Sequence, residues 1–121
     1  MIRYRLSDAA QADIGQILGW THEQFGEPAR LRYQSLIVAA LRDLATDPDR
    51  PGSIDRPELG SGVRTWHLRL SRHHADVGAG IVRRPRHFLV YRIESNLLVV
   101  GRVLHDAMEL ERNLDPEASW D

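Results

Sequence analysis

At 121 residues the chain suits one domain whose core needs neither a disulfide nor a metal, and its lack of cysteine excludes a disulfide scaffold, a thiol catalyst and a thiolate zinc site. The formal net charge of −1, from 16 basic residues (all arginine) against 17 acidic ones, lacks the positive excess that binding a phosphate backbone demands. No window is apolar enough for a membrane span, and no apolar signal core follows Met1-Ile2-Arg3-Tyr4-Arg5, so a cytoplasmic domain is expected.

Ile2-Arg3-Tyr4-Arg5-Leu6 alternates apolar and basic side chains, which predicts a short, half-buried strand. Ser7 is placed to accept the first amide hydrogen bonds of a helix, and Asp8 sits where the helix dipole favours an anion. Ala10, Ile14, Ile17, Leu18 and Phe25 recur at helical spacing until Gly26 offers a left-handed stop, so a first helix is expected from about Asp8 to Phe25. Pro28, tolerated in a first turn, opens a second helix with a buried stripe of Tyr33, Ile37, Ala40, Leu41 and Leu44. Thr46-Asp47-Pro48 ends it, because the residue before proline is pushed out of helical geometry. The alternation of Pro48, Pro51, Gly52, Pro57, Gly60 and Gly62 then predicts loop from Asp47 to Gly62.

Val63 to Leu70 alternates again, with Trp66, Leu68 and Leu70 on one face of an expected strand and Thr65, His67 and Arg69 on the other. Ser71 to Arg86 breaks that pattern with Arg72-His73-His74, Gly78-Ala79-Gly80 and Arg83-Arg84-Pro85, which predicts an extended loop or a projecting hairpin. His87 to Ile93 and Leu97 to Leu104 are two further strands about the turn Glu94-Ser95-Asn96, and residues 106–121 form a C-terminal tail. The order β-α-α-β-β-β predicts an α+β fold: an antiparallel three-stranded meander joined by the N-terminal strand, with the helical hairpin packed on one sheet face.

Charge is unevenly spread. From Arg64 to Arg92, seven arginines face the single carboxylate Asp76, which suggests an acidic partner, protein or nucleic acid, or else a solvated face. The last strand runs through Gly101-Arg102-Val103-Leu104 into His105-Asp106-Ala107-Met108-Glu109-Leu110 and so delivers polar groups to one edge of the core.

Six segments together resemble the ParE branch of the RelE/ParE toxin superfamily: Tyr4-Arg5-Leu6-Ser7-Asp8-Ala9-Ala10, Asp13-Ile14, Phe25-Gly26-Glu27, Gly62-Val63-Arg64-Thr65-Trp66, Tyr91-Arg92-Ile93, and Arg102-Val103-Leu104-His105-Asp106-Ala107-Met108. They span nearly the whole chain in the family's order, and the departure is Ser71 to Arg86, longer than the tight turn common there. The resemblance implies a RelE/ParE-like fold and the toxin of a type II toxin–antitoxin pair, neutralised by a cognate ParD-like antitoxin whose C-terminal segment wraps it. ParE-like members inhibit DNA gyrase and replication; RelE-like members cut mRNA on the ribosome, and a non-toxic antitoxin-binding module is a third outcome, because one fold serves all of them.

Cutting RNA needs a base, an acid and cations on the phosphate, for which His105, Tyr91, Arg64 and Arg102 are the candidates. A gyrase poison needs a surface and no catalytic residue; Arg64, Trp66, Arg102, His105 and Met108 are the candidate target contacts. An apolar groove formed by Phe25, Leu31, Tyr33 and Trp66 is the candidate antitoxin seat. The plain alternatives are that His105 only caps the sheet, that Arg102 pairs with Asp13 or Glu94, that Trp66 is a core anchor, and that Met108 packs on a helix. Six histidines without His-x-x-x-His spacing or a spaced acidic partner give no metal site, and no cofactor and no direct nucleic-acid binding are expected.

Overall fold

In the computed structural model, the structure describes residues 1–75, 78, 80–107 and 120–121. Strand β1 (Arg3–Leu6) leads into helix α1 (Asp8–Phe25) and helix α2 (Glu27–Thr46), both within a residue of the expected bounds. Ser7 caps α1 by accepting from the Ala10 amide at 3.0 Å, and its hydroxyl donates to the Gly101 carbonyl at 2.7 Å, so one buried side chain joins the helix start to the last strand. Gly26, at φ +89°, makes the break between the helices in a region that side chains other than glycine rarely occupy.

Strands β2 (Ile54–Asp55), β3 (Arg64–His67), β4 (His87–Glu94) and β5 (Leu97–His105) complete a five-stranded sheet of order β1-β5-β4-β3-β2. The meander β3-β4-β5 is antiparallel as expected, whereas β1 joins it parallel to β5, Arg3 opposite Leu97 and Leu6 opposite Val100. The segment expected to be all loop instead contributes β2, which pairs Ile54 and Asp55 with Thr65 and Arg64, and a 3-10 turn at Pro57–Leu59. Ser95 and Asn96 both take positive φ, the two-residue turn whose twist suits a hairpin.

The strand expected through Leu70 stops at His67. The His67 ring accepts from the Arg69 amide at 3.1 Å and caps a 3-10 helix, Leu68–His74, that leaves Leu70 more than a third exposed. Its Ser71 hydroxyl, buried, accepts from the Trp66 indole at 2.9 Å and donates to Asp43 of α2 at 2.6 Å, while His74 also meets Asp43 at 2.8 Å. The turn is thus tied to α2, and no strand forms among the described residues 75–86.

The hairpin packs on one sheet face, where Leu36, Ala40, Leu44, Trp66, Leu89, Tyr91, Leu98, Val100 and Val103 form the main core. A second cluster, Leu59, Val63, Phe88, Val90, Val99 and Leu104, fills the opposite face beneath Trp120, which is 5% exposed and lies 4.4 Å from the Arg92 guanidinium. Arg5 donates to the Trp120 carbonyl at 2.8 Å and holds the described C-terminus there. Among the described residues no helix is long and apolar enough to cross a membrane.

Candidate partner-binding groove

Both members of the helical hairpin and one end of the sheet bound an open groove of about 970 Å3. Ile17, Trp20 and Phe25 come from α1, Ala29, Arg32 and Tyr33 from the start of α2, His87 and His105 from facing ends of β4 and β5, and Ile81 to Arg84 with Arg86 from the connection before β4. Trp20 and Phe25 meet edge to face at 5.8 Å yet stay 57% and 68% exposed, and Ile81 is 46% exposed, so the groove presents bare apolar surface to water. Among the described residues its lining holds four arginines and no carboxylate.

His105 reaches the groove because of a bulge. Val100 lies opposite Tyr91 but Arg102 lies opposite Val90, so Gly101 is an extra residue on β5. Before it, Leu98 and Val100 face the helices; beyond it, Val103 and then His105 do.

The polar floor is a chain of titratable groups. The Tyr33 hydroxyl lies 2.6 Å from His87 Nδ1 and accepts from the Arg86 amide at 3.2 Å. The His87 and His105 rings stand edge to face at 5.3 Å, and Asp106 is held by His67 at 3.1 Å and Arg86 at 3.2 Å. Burial pushes the Tyr33 phenol up to about 12, and burial together with the neighbouring His105 pushes His87 down to about 4. Because Tyr33 Oη already accepts from the Arg86 amide, its own proton can go to His87 Nδ1, the arrangement in which the neutral ring carries its proton on Nε2. Asp106 is lowered in spite of burial, because bonds from His67 and Arg86 favour its charged form.

The residues singled out in the sequence fare unequally. Phe25, Tyr33 and His105 line the groove, whereas Leu31, 44% exposed on α2, does not. Trp66 is only 3% exposed, its indole spent on Ser71, so the expectation that it offers an exposed docking face is corrected: its alternating neighbours place it inward against the hairpin. Tyr91 is fully buried, and its hydroxyl donates to the Pro48 carbonyl at 2.5 Å. Arg64, opposite Tyr91 in register, bonds Ser53 at 2.7 Å and lies 3.6 Å from Asp49. Arg102 takes Asp13 of the two expected partners, through Nε at 2.7 Å and Nη2 at 2.9 Å, and Asp13 also accepts from the Val103 amide at 2.9 Å. Arg64, Tyr91, Arg102 and His105 are therefore not gathered at one site, and His105 accepts from the Ala107 amide rather than capping a carbonyl. Met108 lies outside the described residues.

Trp20, Arg32, Ile81, Val82 and His87 were not anticipated, and Arg83, Arg84 and Arg86 only as part of the basic run from Arg64 to Arg92. The available signals were a tryptophan one turn beyond Ile17, at the edge of the buried stripe, and an apolar pair, Ile81-Val82, running directly into Arg83-Arg84. No group of three or more histidine, aspartate or glutamate side chains that could hold a metal ion occurs among the described residues.

The fold is shared with two solved toxin structures. A chromosomal ParDE toxin–antitoxin system from P. aeruginosa is similar at TM-score 0.61 and 18% identity, with 87% of this chain and 96% of that chain covered. A copper-bound mutant toxin from Helicobacter pylori is similar at TM-score 0.55 and 16% identity, over 88% of this chain and 97% of that one. No curated protein matches the chain. Residues 4–110 match the ParE toxin of the type II toxin–antitoxin system parDE, and with that match covering most of its length the chain belongs to the ParE toxin family.

Proposed function

We propose that the chain arrests bacterial growth by binding DNA gyrase in the cytoplasm, and that a cognate ParD-like antitoxin, seated on the exposed apolar groove, prevents it. Family membership supports the toxin reading, and the observation that carries binding over chemistry is the dispersal of the ribonuclease candidates. Arg102 is spent on Asp13, Arg64 on Ser53 and Asp49, and Tyr91 is buried against Pro48, so no pair of cations is left free beside His105 from that set. A transition state gains only from groups aimed at it, and these are aimed elsewhere.

The test is induction of the gene in a bacterial host with and without the adjacent small reading frame, followed by supercoiling with purified gyrase and by mapping of mRNA ends. Growth arrest relieved by the neighbour, with supercoiling inhibited and mRNA intact, is expected. Cleaved mRNA with normal supercoiling would overturn the gyrase reading, and no arrest at all would leave a non-toxic antitoxin-binding module.

A further inference from the structure

We infer that the sheet face opposite the helical hairpin is a docking site for a tryptophan-bearing segment of a partner protein, and that Trp120 of this chain is its resident, exchangeable occupant. The site uses none of the residues that line the groove.

Trp120 is held by a small set of generic contacts. Its indole closes over the apolar cluster of Val90, Val99 and Leu104, and the Arg92 guanidinium lies 4.4 Å from the ring. Arg5 donates to the main-chain oxygens of Trp120 at 2.8 Å and of Asp121 at 3.3 Å. Glu94 sets both cations: it accepts from Arg92 at 2.8 Å on its own strand and lies 3.8 Å from Arg5 across β5. The site therefore reads an indole and its main-chain carbonyl, which any tryptophan in an accessible segment presents.

The same contacts make the occupant exchangeable. Arg5 is 40% and Arg92 31% exposed, and Glu94 stays beside both when the indole leaves, so release strands no buried charge and local opening lies well below global unfolding. What release uncovers is apolar, and the chemistry of the resident names its replacement, a second indole under the Arg92 guanidinium. A single-stranded nucleic acid fits less well, because Glu94 neutralises the two arginines and the aliphatic cluster offers a sugar or phosphate nothing.

A short peptide and the full-length protein test the inference. The probe is an acetylated, amidated peptide of residues 115–121, Asp-Pro-Glu-Ala-Ser-Trp-Asp, followed through the methyl chemical shifts of Val99 and Leu104. The Trp120→Ala protein should bind it, and a peptide with alanine in place of tryptophan should not bind. Wild type should bind about tenfold more weakly or worse, because its own tryptophan competes at high effective concentration. Arg92→Gln in the Trp120→Ala background should weaken binding about fivefold. Wild type carries a second readout that needs no core variant: with 5-fluorotryptophan incorporated, the Trp120 fluorine signal should exchange with a solvent-exposed form, and Arg92→Gln should raise that form about fivefold.

A folded Trp120→Ala protein that ignores the peptide, or a wild type that binds it equally well, would overturn the inference. So would a fluorine signal with no second form short of global unfolding, which makes Trp120 a fixed part of the core. A concentration-dependent dimer abolished by Trp120→Ala would overturn it by giving the site to a second copy of the chain, and displacement of the peptide by an oligouridylate RNA would overturn the choice of partner. None of these readouts depends on growth arrest, so the toxin reading stands or falls separately.

Discussion

Replacing Asp13 by alanine tests whether Arg102 serves the fold or a partner. Asp13 accepts three hydrogen bonds, two from the Arg102 guanidinium at 2.7 and 2.9 Å and one from the Val103 amide at 2.9 Å, and its side chain is 12% exposed against 24% for Arg102. Breaking one partner of a buried pair costs about 3–5 kcal/mol, but partial exposure lets water take up the stranded guanidinium, so about 2–3 kcal/mol is expected. At this size that lowers the melting temperature by about 6–15 °C. Arg102→Ala should cost less, about 1–2 kcal/mol, because Asp13 keeps its bond to Val103. Asp13→Asn, which can still accept from that amide, should fall nearest the wild type. Urea denaturation followed by far-ultraviolet circular dichroism measures all three. An Asp13→Ala protein within about 0.5 kcal/mol of wild type, or an Arg102→Ala protein less stable than Asp13→Ala, would refute the assignment and return Arg102 to the pool of partner contacts.

Acid stability should depend on His87: the unfolded ring titrates near 6.5 and the folded one near 4, so below about 6.5 the unfolded state binds the extra proton and stability falls as pH drops toward 4. The displacement corresponds to at most about 3 kcal/mol, reduced because the ring is partly solvated, and the difference between wild type and His87→Gln across pH 4 to 7 in denaturant melts isolates it. Ser71→Ala should cost about 1–3 kcal/mol in thermal unfolding, because the Trp66 indole N–H is left in the core without its acceptor. Trp120→Ala should cost about 2–4 kcal/mol and raise binding of an apolar dye, since the cluster beneath it on the outer sheet face is opened. A Trp120→Ala protein with unchanged melting and dye binding would show that the described C-terminus contributes nothing to that face.

Local chemistry was legible where it was strong. The serine cap, the glycine between the helices and the aspartate before Pro48 each act within a few residues, and both helices fell within a residue of their expected ends. Alternation failed at Leu70 because a period of two also describes the first steps of a chain turned by the His67 ring, and the decisive partner, Asp43, is 28 residues from Ser71. The two-residue β2 strand was hidden among prolines and glycines, since it exists only through pairing with Thr65 and Arg64. Of the groove, Phe25, Tyr33 and His105 were legible as candidates, but Arg32, Arg83 and His87 gain their meaning only by meeting across three elements.

By itself the sequence determined the helical hairpin, the antiparallel meander, the absence of thiol chemistry and the family resemblance, because capping, periodicity and motif order are local or linear properties. Tertiary structure alone decided that β1 runs parallel to β5, that Asp13 claims Arg102, and that Trp66 turns inward. It also decided where His105 points. An unbroken strand would have set Leu104 on the helix side with Leu98 and Val100 and sent His105 to the other face, since side chains alternate with period two. The extra residue Gly101, its carbonyl held by the Ser7 hydroxyl from 94 positions away, reverses that parity, and a one-residue bulge therefore delivers the histidine to the groove.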